Sequence, residues 1–195
     1  MALRQTYKST IVPALQKQFG YKNIHAVPSV RQVTLNIGVG PGVKDAKYLE
    51  TAERTLSRVS GQKPVKTLAR KSIAGFKIRQ GMVVGMKVTL RGKRMWDFLE
   101  KLIKISLPRV RDFRGLSPNA FDQGGNYSIG FTEHTAFPEI RSDEIEVLHG
   151  LQVTIGTTAT SKAEGTALLK ALGVPFREEE ANNKSREAGS RSAGK

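Results

Sequence analysis

Two stretches of strictly alternating apolar and polar residues are the features that most constrain how this chain can fold. Residues 31–39 and 86–91 each place an apolar side chain at every second position. The apolar positions are Val33, Leu35 and Ile37 in the first stretch, and Met86, Val88 and Leu90 in the second. Successive side chains of a strand point to opposite faces, so each stretch predicts a strand with one buried and one polar face.

The spacing of apolar residues elsewhere predicts further helices and strands around these two. The predicted helices cover about residues 3–19, 44–60, 94–106 and 161–173, and the other predicted strands cover 64–68, 127–131 and 151–155. The order α-β-α-β-β-α-β-β-α predicts an α+β fold, a ferredoxin-like variant. We expect a largely antiparallel sheet of about five strands with helices packed on one face. The other face would stay open and polar.

Two details of this prediction concern the first helix and the end of the chain. Pro13 lies inside the first helical pattern, so that helix either kinks there or starts late, with Thr10 as its cap. Residues 1–176 are expected to form a single α+β domain. Residues 177–195 are polar, poor in apolar side chains and mixed in charge, and we expect them to be disordered.

The charge of the chain is strongly positive and unevenly distributed. The formal net charge is +15, and residues 54–96 hold twelve Lys or Arg and no Asp or Glu. A cationic stretch without acidic partners needs counter-charge from elsewhere, and nucleic acid phosphate is the commonest source. A solvated basic face is the alternative interpretation. Four of the basic residues, Arg70, Lys71, Lys77 and Arg79, fall in the predicted loop 69–81.

Two apolar side chains, Phe76 and Ile78, also lie within loop 69–81. They would either stack on a base or pack into a partner's groove, or else tuck back beneath the loop. The chain has no Cys, which excludes disulfides and thiolate metal sites. It also has no apolar run long enough to span a membrane and no visible signal peptide, so the sequence predicts a cytoplasmic protein.

Other chemistries find little support in the sequence. The turn 38–42 has three glycines after a strand, but in G-x-G-x-G spacing and without the acidic residue expected of a dinucleotide site. His25, His134 and His149 are far apart and fall in no metal-binding motif. No catalytic residue, metal or cofactor is therefore predicted. An enzyme that binds a nucleotide at this turn and an adaptor for acidic proteins or membrane surfaces remain the alternative classes.

Several longer motifs resemble one known family. They are Ser60–Pro64, Ala69–Gly81, Lys87–Gly92, Pro108–Leu116, Gly125–Ser128 and Phe137–Ile140. In order and spacing they are similar to the bacterial form of the 5S-rRNA-binding protein five family of the large ribosomal subunit. The resemblance covers about residues 3–177. Pro13 and the tail after Arg177 depart from the usual bacterial pattern.

The resemblance implies a function as well as a set of contact residues. It implies a non-enzymatic ribosomal constituent whose open sheet face binds 5S rRNA and helps to join it to 23S rRNA in the central protuberance. The implied rRNA contacts are Asn36, Gln62, Lys63, Lys87, Thr89 and Arg91. The implied contacts to peptidyl-site tRNA are Arg70, Lys71, Ser72, Phe76, Lys77 and Arg79.

A third set of residues is implied to face other parts of the ribosome. Arg109, Arg111 and Arg114, with the segment after Tyr127, would lie toward 23S rRNA and a head protein of the small subunit, as an intersubunit bridge. Neighbouring large-subunit proteins are further implied partners, and no membrane partner or cofactor is implied. On this basis residues 1–176 would be one RNA-binding domain.

Overall fold

A computed structural model describes residues 2–40, 46–140 and 148–177 of the chain, and its centre is one five-stranded sheet. The strands are β1 Val30–Gly38, β2 Val65–Leu68, β3 Val83–Leu90, β4 Tyr127–Phe131 and β5 Leu151–Thr157. They lie side by side in the order β2-β3-β1-β5-β4, and every pair of neighbours is antiparallel. The predicted antiparallel sheet is confirmed.

Helices flank this sheet on one side. They are α1 Ala2–Thr6, α2 Val12–Phe19, α3 Ala46–Ser60, α4 Gly92–Lys101 and α5 Lys162–Ala171. Helices α3 and α4 both contact β1, and α3 also contacts β3. The predicted α+β architecture, with helices on one face, is therefore confirmed. The predicted tail from residue 178 onward and the glycine-turn position Gly42 lie outside the described residues.

The core forms because the apolar positions of neighbouring strands are in register. Leu35 of β1 faces Val88 of β3 on one side and Val153 of β5 on the other. All of these side chains are buried. Burying an aliphatic side chain of this size stabilises the fold by about 1.5–3 kcal/mol. The alternation in the sequence therefore determines which face of the sheet the helices cover.

The first helix begins at Ala2, so the alternative of a late start with Thr10 as cap is wrong. A π-helical turn, Tyr7–Ile11, joins α1 to α2, and the N–H of Val12 donates to the carbonyl of Tyr7. Pro13 has no N–H to donate and lies in the first turn of α2. The wider π turn directly before it lets the helix continue past this residue. Gly20, with φ of 69°, ends α2, as a glycine directly after the last apolar residue of the pattern predicts.

Helix α4 also ends in a π turn, Leu102–Ser106, which the apolar spacing did not predict. The apolar spacing of residues 94–106 predicts Ile105 on the buried side of this helix, and that prediction is wrong because the side chain is exposed. One additional residue in a turn rotates all later side chains around the helix axis. Pro108 then lies in a short 3-10 turn, Leu107–Arg109.

The sequence Ser161-Lys-Ala-Glu164 predicts a capping box at the start of the last helix, and the structure confirms it. The hydroxyl of Ser161 accepts a hydrogen bond from the Glu164 N–H at 3.4 Å. The Glu164 carboxylate in turn accepts from the N–H of Thr160 at 2.8 Å. Two N–H groups at the helix start are thereby satisfied, and hydrogen bonds to its carboxylate hold the pKa of Glu164 below its usual range.

Candidate nucleic-acid interface

The sheet face opposite α3 and α4 is polar and not covered by a helix; we call it the open face. Its residues are at least partly exposed and are Gln32, Thr34, Asn36, Lys87, Thr89, Arg91, Ser128, Gln152 and Thr154. None of these residues is acidic. Strand alternation places them here, because each precedes or follows a buried apolar position on its own strand.

Strand register arranges the open face into two rows that run across the strands. Hydroxyl side chains form one row, in the order Thr89, Thr34, Thr154 and Ser128. The second row contains Lys87, Asn36 and Gln152 and ends at Gly130. Each row crosses four strands, and strand spacing makes it about 14 Å long. A flat surface of this width, rich in donors and acceptors, fits the shallow minor groove of an RNA helix.

Arg91 extends the open face beyond the end of β3. Its guanidinium donates to the side-chain oxygen of Gln32 at 2.7 Å, so the two side chains support each other across β3 and β1. Gln62 and Lys63 lie in the turn between α3 and β2, where the Ser60 hydroxyl accepts from the Gln62 N–H at 3.2 Å. Lys63 comes two residues before Val65, which pairs with Lys87. The implied rRNA contacts therefore gather toward the β2 side of the face.

An acidic residue marks the opposite border of the open face. Asp122 lines a shallow depression together with Thr34 and Ser128. Its carboxylate accepts from the backbone N–H and the side-chain amide of Asn126, each at 2.7 Å. These hydrogen bonds hold the pKa of Asp122 below its usual range. The carboxylate therefore stays ionised and would repel a phosphate that approached this border.

Residues 69–81, which we call the basic hairpin, continue β2 and β3 away from the sheet. Ile73 and Ile78 exchange two backbone hydrogen bonds, at 2.9 and 3.2 Å, and a 3-10 turn, Ala74–Phe76, closes the loop. Lys77 adopts a left-handed conformation with φ of 54°. The hydroxyl of Ser72 accepts from the Gln80 N–H at 3.0 Å. The predicted loop is thus a small hairpin with a defined tip.

Phe76 is the most exposed large apolar side chain at this tip. Its exposed fraction is 74%, so the interpretation that it tucks back beneath the loop is wrong. Ile78 is only partly exposed. Arg70, Lys71 and Arg79 are exposed on either side of the turn. An aromatic ring surrounded by cations and open to solvent can stack on a base or sugar while the cations meet phosphates.

The third predicted set of contact residues lines a cleft at the opposite edge of the sheet, beside β4. Arg109, Arg111 and Arg114 line it together with Arg177 and the edge of β4, and its volume is about 590 Å³. Two acidic residues, Asp112 and Glu133, also line this arginine cleft. Because β2 and β4 are the two edges of the sheet, the cleft and the basic hairpin lie on opposite sides. The structure therefore does not bring them together.

Among the residues of the open face, the sequence named candidate contacts on β1 and β3, and beside them at Arg91, but none on β5 or β4. Gln152, Thr154 and Ser128 lie on the open face in register with Asn36 and Thr34. The signal was present, because these polar residues alternate with apolar positions of β4 and β5 as plainly as in the first two strands. What the sequence could not show was that β5 pairs with β1.

The alternative of a dinucleotide site at residues 38–42 is not supported by the fold. That site requires a mostly parallel sheet, whereas both neighbours of β1 run antiparallel to it. Within the three described ranges, no cluster of His, Asp or Glu could hold a metal ion. No described helix is long and apolar enough to cross a bilayer. Glu133 and His134 are neighbours in the sequence and could form an acid–base pair by adjacency alone, but His134 is buried and Glu133 is exposed, so they do not form one at the surface.

An open polar sheet face beside a cationic hairpin defines the class of protein that binds a large polyanion rather than a small enclosed ligand. The family model described as ribosomal protein L5 matches residues 23–79, and the model of the C-terminus of the same ribosomal family matches residues 83–176. The chain therefore belongs to the ribosomal protein L5 family. Proteins of this family are constituents of the large ribosomal subunit and are not enzymes.

Curated relatives agree with this assignment over nearly their whole length. The chain is 56% identical to large ribosomal subunit protein uL5 of Colwellia psychrerythraea, over 90% of this chain and 97% of the relative. The protein of the same name from Syntrophomonas wolfei is 57% identical over 90% of this chain and 98% of its own. The protein of the same name from Synechocystis is 56% identical over 90% of this chain and 97% of its own. As a ribosomal protein, the chain has its place in the ribosome, with rRNA and other ribosomal components as partners.

Proposed function

We propose that this chain binds 5S rRNA through the open face and helps to join it to 23S rRNA in the central protuberance. The observation that carries the proposal is the pair of in-register polar rows that cross the sheet, centred on Thr34 and Asn36. Hydroxyls can exchange hydrogen bonds with ribose 2′-hydroxyls, and amides can do the same with base edges. Lys87 and Arg91 supply phosphate contacts at one end of the rows.

The contact residues proposed for rRNA are Asn36, Gln62, Lys63, Lys87, Thr89 and Arg91. To these we add Gln152, Thr154 and Ser128, which extend both rows toward β4. The acidic border at Asp122 supports an RNA path that leaves the face on the β2 side, where cations gather. We propose residues 1–176 as one RNA-binding unit, since β1 and β3 come from separate family-matched segments yet pair directly.

The basic hairpin is proposed to contact the peptidyl-site tRNA. It projects from the sheet edge with Arg70, Lys71, Ser72, Lys77 and Arg79 around the exposed ring of Phe76. This arrangement can hold a backbone by charge and a sugar or base by stacking, without reading sequence. The arginine cleft is proposed to face 23S rRNA and a head protein of the small subunit, as part of an intersubunit bridge.

The test is binding of the purified protein to 5S rRNA in a salt series, with a structured RNA of equal length as competitor. If about six to eight cationic groups meet phosphates, log K should fall with log salt at a slope of roughly −4 to −7. We expect binding to 5S rRNA to withstand the competitor at about 150 mM salt, the physiological ionic strength. Equal affinity for both RNAs would leave a general cationic surface and remove the assignment to 5S rRNA.

A further inference from the structure

The α3–β2 turn, residues 61–64, carries two of the proposed rRNA contacts, Gln62 and Lys63. It follows directly on Ser60, the last residue of α3. The last carbonyl groups of a helix have no partner within the helix, so they need donors from outside it. The position of Gln62 and Lys63 therefore depends on which groups bind the carbonyl oxygens at the end of α3.

The turn supplies only part of these hydrogen bonds itself. Gly61 is left-handed, with φ of 65°, and its N–H donates to the carbonyl of Ser57 at 2.9 Å. The Ser60 hydroxyl lies 2.5 Å from the carbonyl oxygen of Leu56 and 3.1 Å from that of Gln62. A hydroxyl has one proton to donate, so it cannot fully satisfy both oxygens. Further donors come from a different element.

Helix α4 provides two cationic donors for the end of α3. The Lys101 ammonium donates to the carbonyl of Val59 at 2.9 Å, and the Arg94 guanidinium donates to the carbonyl of Gly61 at 3.3 Å. Cations at this position are also favoured by the partial negative charge at the C-terminus of a helix. The two hydrogen bonds go to carbonyls on either side of Ser60, so α4 holds the α3–β2 turn at two points.

Lys101 is itself fixed by its surroundings. Its side chain is only 20% exposed and forms an ion pair with Glu139, and its Nζ atom lies 5.2 Å from the centre of the Phe98 ring. The second carboxylate oxygen of Glu139 is buried and has no hydrogen-bond partner among the described residues, so the charge of Lys101 offsets the burial of this carboxylate. Because its ammonium is already bound to a carbonyl and a carboxylate, Lys101 is not placed to bind a phosphate of the RNA.

The start of α4 carries a third proposed rRNA contact. Arg91 directly precedes Gly92, the first residue of α4, and Arg94 follows within the first turn of the helix. The helix that presents Arg91 therefore also holds the turn that presents Gln62 and Lys63. These three contact residues are thereby fixed relative to one another before RNA binds, and such preorganisation lowers the entropy cost of binding.

We propose that Lys101 and Arg94 are positioning residues for the rRNA contact, which hold the α3–β2 turn so that Gln62 and Lys63 face the RNA. This inference rests on the proposed function, since it concerns two residues of the proposed 5S rRNA contact. Lys101 acts without touching the RNA. When its hydrogen bond is removed, the turn gains conformational freedom, and binding then includes the entropy cost of ordering it.

The first measurement is amide hydrogen exchange of the free protein, followed residue by residue by NMR. Removing Lys101 alone would leave the Glu139 carboxylate without its ion pair, so Glu139→Gln is the starting protein and Lys101→Met is added to it. We expect the N–H groups of Gly61 and Gln62 to exchange about tenfold faster once Lys101→Met is added, the scale of losing one hydrogen bond to a charged group. Equal exchange in the two proteins would overturn the proposal.

Lys104→Met is the matched control, because it makes the same change in the π turn that ends the same helix. Lys104 is 59% exposed and pairs with Glu100 at 2.8 Å, so its hydrogen bond goes to a carboxylate and not to the α3–β2 turn. Added to the Glu139→Gln protein, Lys104→Met should leave the exchange of Gly61 and Gln62 unchanged. A rise as large as that caused by Lys101→Met would overturn the proposal, because loss of any positive charge would then explain it.

The second measurement is the Kd for 5S rRNA, again starting from the Glu139→Gln protein. Adding Lys101→Met should weaken binding about three- to tenfold. When Gln62 and Lys63 have first been changed to Ala, adding Lys101→Met should have no further effect, because the contacts that it positions are gone. An equal loss in both backgrounds would overturn the positioning role of Lys101.

Arg94 is tested by the same comparison, which matters more here because its side chain is exposed. Arg94→Met should weaken 5S rRNA binding only while Gln62 and Lys63 are present. A loss that persists without them would make Arg94 a phosphate contact and overturn its role as a positioning residue.

The two measurements separate this inference from the proposed function. A wild type that binds 5S rRNA no better than the competitor RNA would remove the assignment to 5S rRNA. The exchange rates of the free protein would still decide whether Lys101 holds the α3–β2 turn, since they involve no RNA.

Discussion

His134 and His149 stack face to face inside the protein, with ring centroids 4.0 Å apart and ring planes 9° apart. Both are buried, and the Nε2 atom of His149 lies 3.2 Å from the Thr55 hydroxyl of α3. Burial lowers the pKa of both rings, and for His149, where the neighbouring His134 adds to the effect, it lowers the pKa to about 4. The pair links the segment before β5 to α3, and its burial favours the neutral form of both rings.

This pair predicts that the protein loses stability in mild acid. In the unfolded chain His149 becomes protonated near pH 6.5, whereas in the folded protein it stays neutral down to about pH 4. The unfolded state binds more protons in that window, so the free energy of unfolding falls as pH falls, by about 3 kcal/mol for this residue. Urea unfolding at several pH values would measure it. In His149→Gln the fall should be shallower than in the wild type, and equal slopes in the two proteins would contradict the prediction.

Close contact of two glycines predicts a second stability effect. A Cβ atom added to Gly165 of α5 would lie 2.9 Å from the Cα of Gly125 and closer still to its carbonyl oxygen. These are backbone atoms that cannot rotate away, so we expect Gly165→Ala to destabilise the fold by about 2–4 kcal/mol. Thermal and urea unfolding would measure the change. Gly75→Ala in the basic hairpin has open space around it and should change stability by less than about 0.5 kcal/mol.

Removing one hydroxyl from the open face should weaken the proposed 5S rRNA contact without unfolding the protein. Thr89→Val keeps the shape of the side chain but leaves its RNA partner without a hydrogen bond, which costs about 1–3 kcal/mol. Thr89→Ser retains the hydroxyl and serves as the matched control. Filter binding at fixed salt would compare the three proteins. A loss below a few tenths of a kcal/mol in Thr89→Val would exclude this residue from the contact.

Mutation should separate the binding role of the basic hairpin from that of the open face. Changing Arg70, Lys71, Lys77 and Arg79 together to Gln should leave 5S rRNA binding intact, because the hairpin projects away from the sheet. The same change should speed release of peptidyl-site tRNA from assembled ribosomes by roughly tenfold or more, the scale of losing several phosphate contacts. A variant with Lys8, Lys17, Lys22 and Lys170 changed to Gln controls for total charge. If the hairpin variant loses 5S rRNA binding instead, the hairpin belongs to the first interface.

The buried and the polar face of a single strand could be predicted from the sequence, because the alternation of apolar and polar residues is a local property. The buried and polar faces of β1 and β3 follow directly from residues 31–39 and 86–91. The π turns could not be predicted, because an i→i−5 hydrogen bond does not change the spacing of apolar residues in the sequence. Its effect is seen only in the structure, where a side chain such as Ile105 is exposed instead of buried. Such turns are rare within α-helices, so a helical pattern does not by itself predict one.

Relationships between distant residues could not be predicted in the same way. His134 and His149 lie 15 residues apart, and their stacking depends on how the segment between β4 and β5 returns to the sheet. Likewise, Thr154 joins Thr34 on the open face only because β5 pairs with β1. The part of the candidate site on β4 and β5 thus depends on strand pairing, which sequence pattern alone leaves open.

The central position of β1 has a consequence for the order of events during synthesis. Leu35 faces Val88 and also Val153, which is made 118 residues later. At about 5–20 residues per second, β1 waits roughly 6–24 s for its second neighbour. Pairing across such a distance is also slow in itself. A nascent chain that still lacks β4 and β5 therefore has only half of the open face, and the complete open face forms only after β5 has been made.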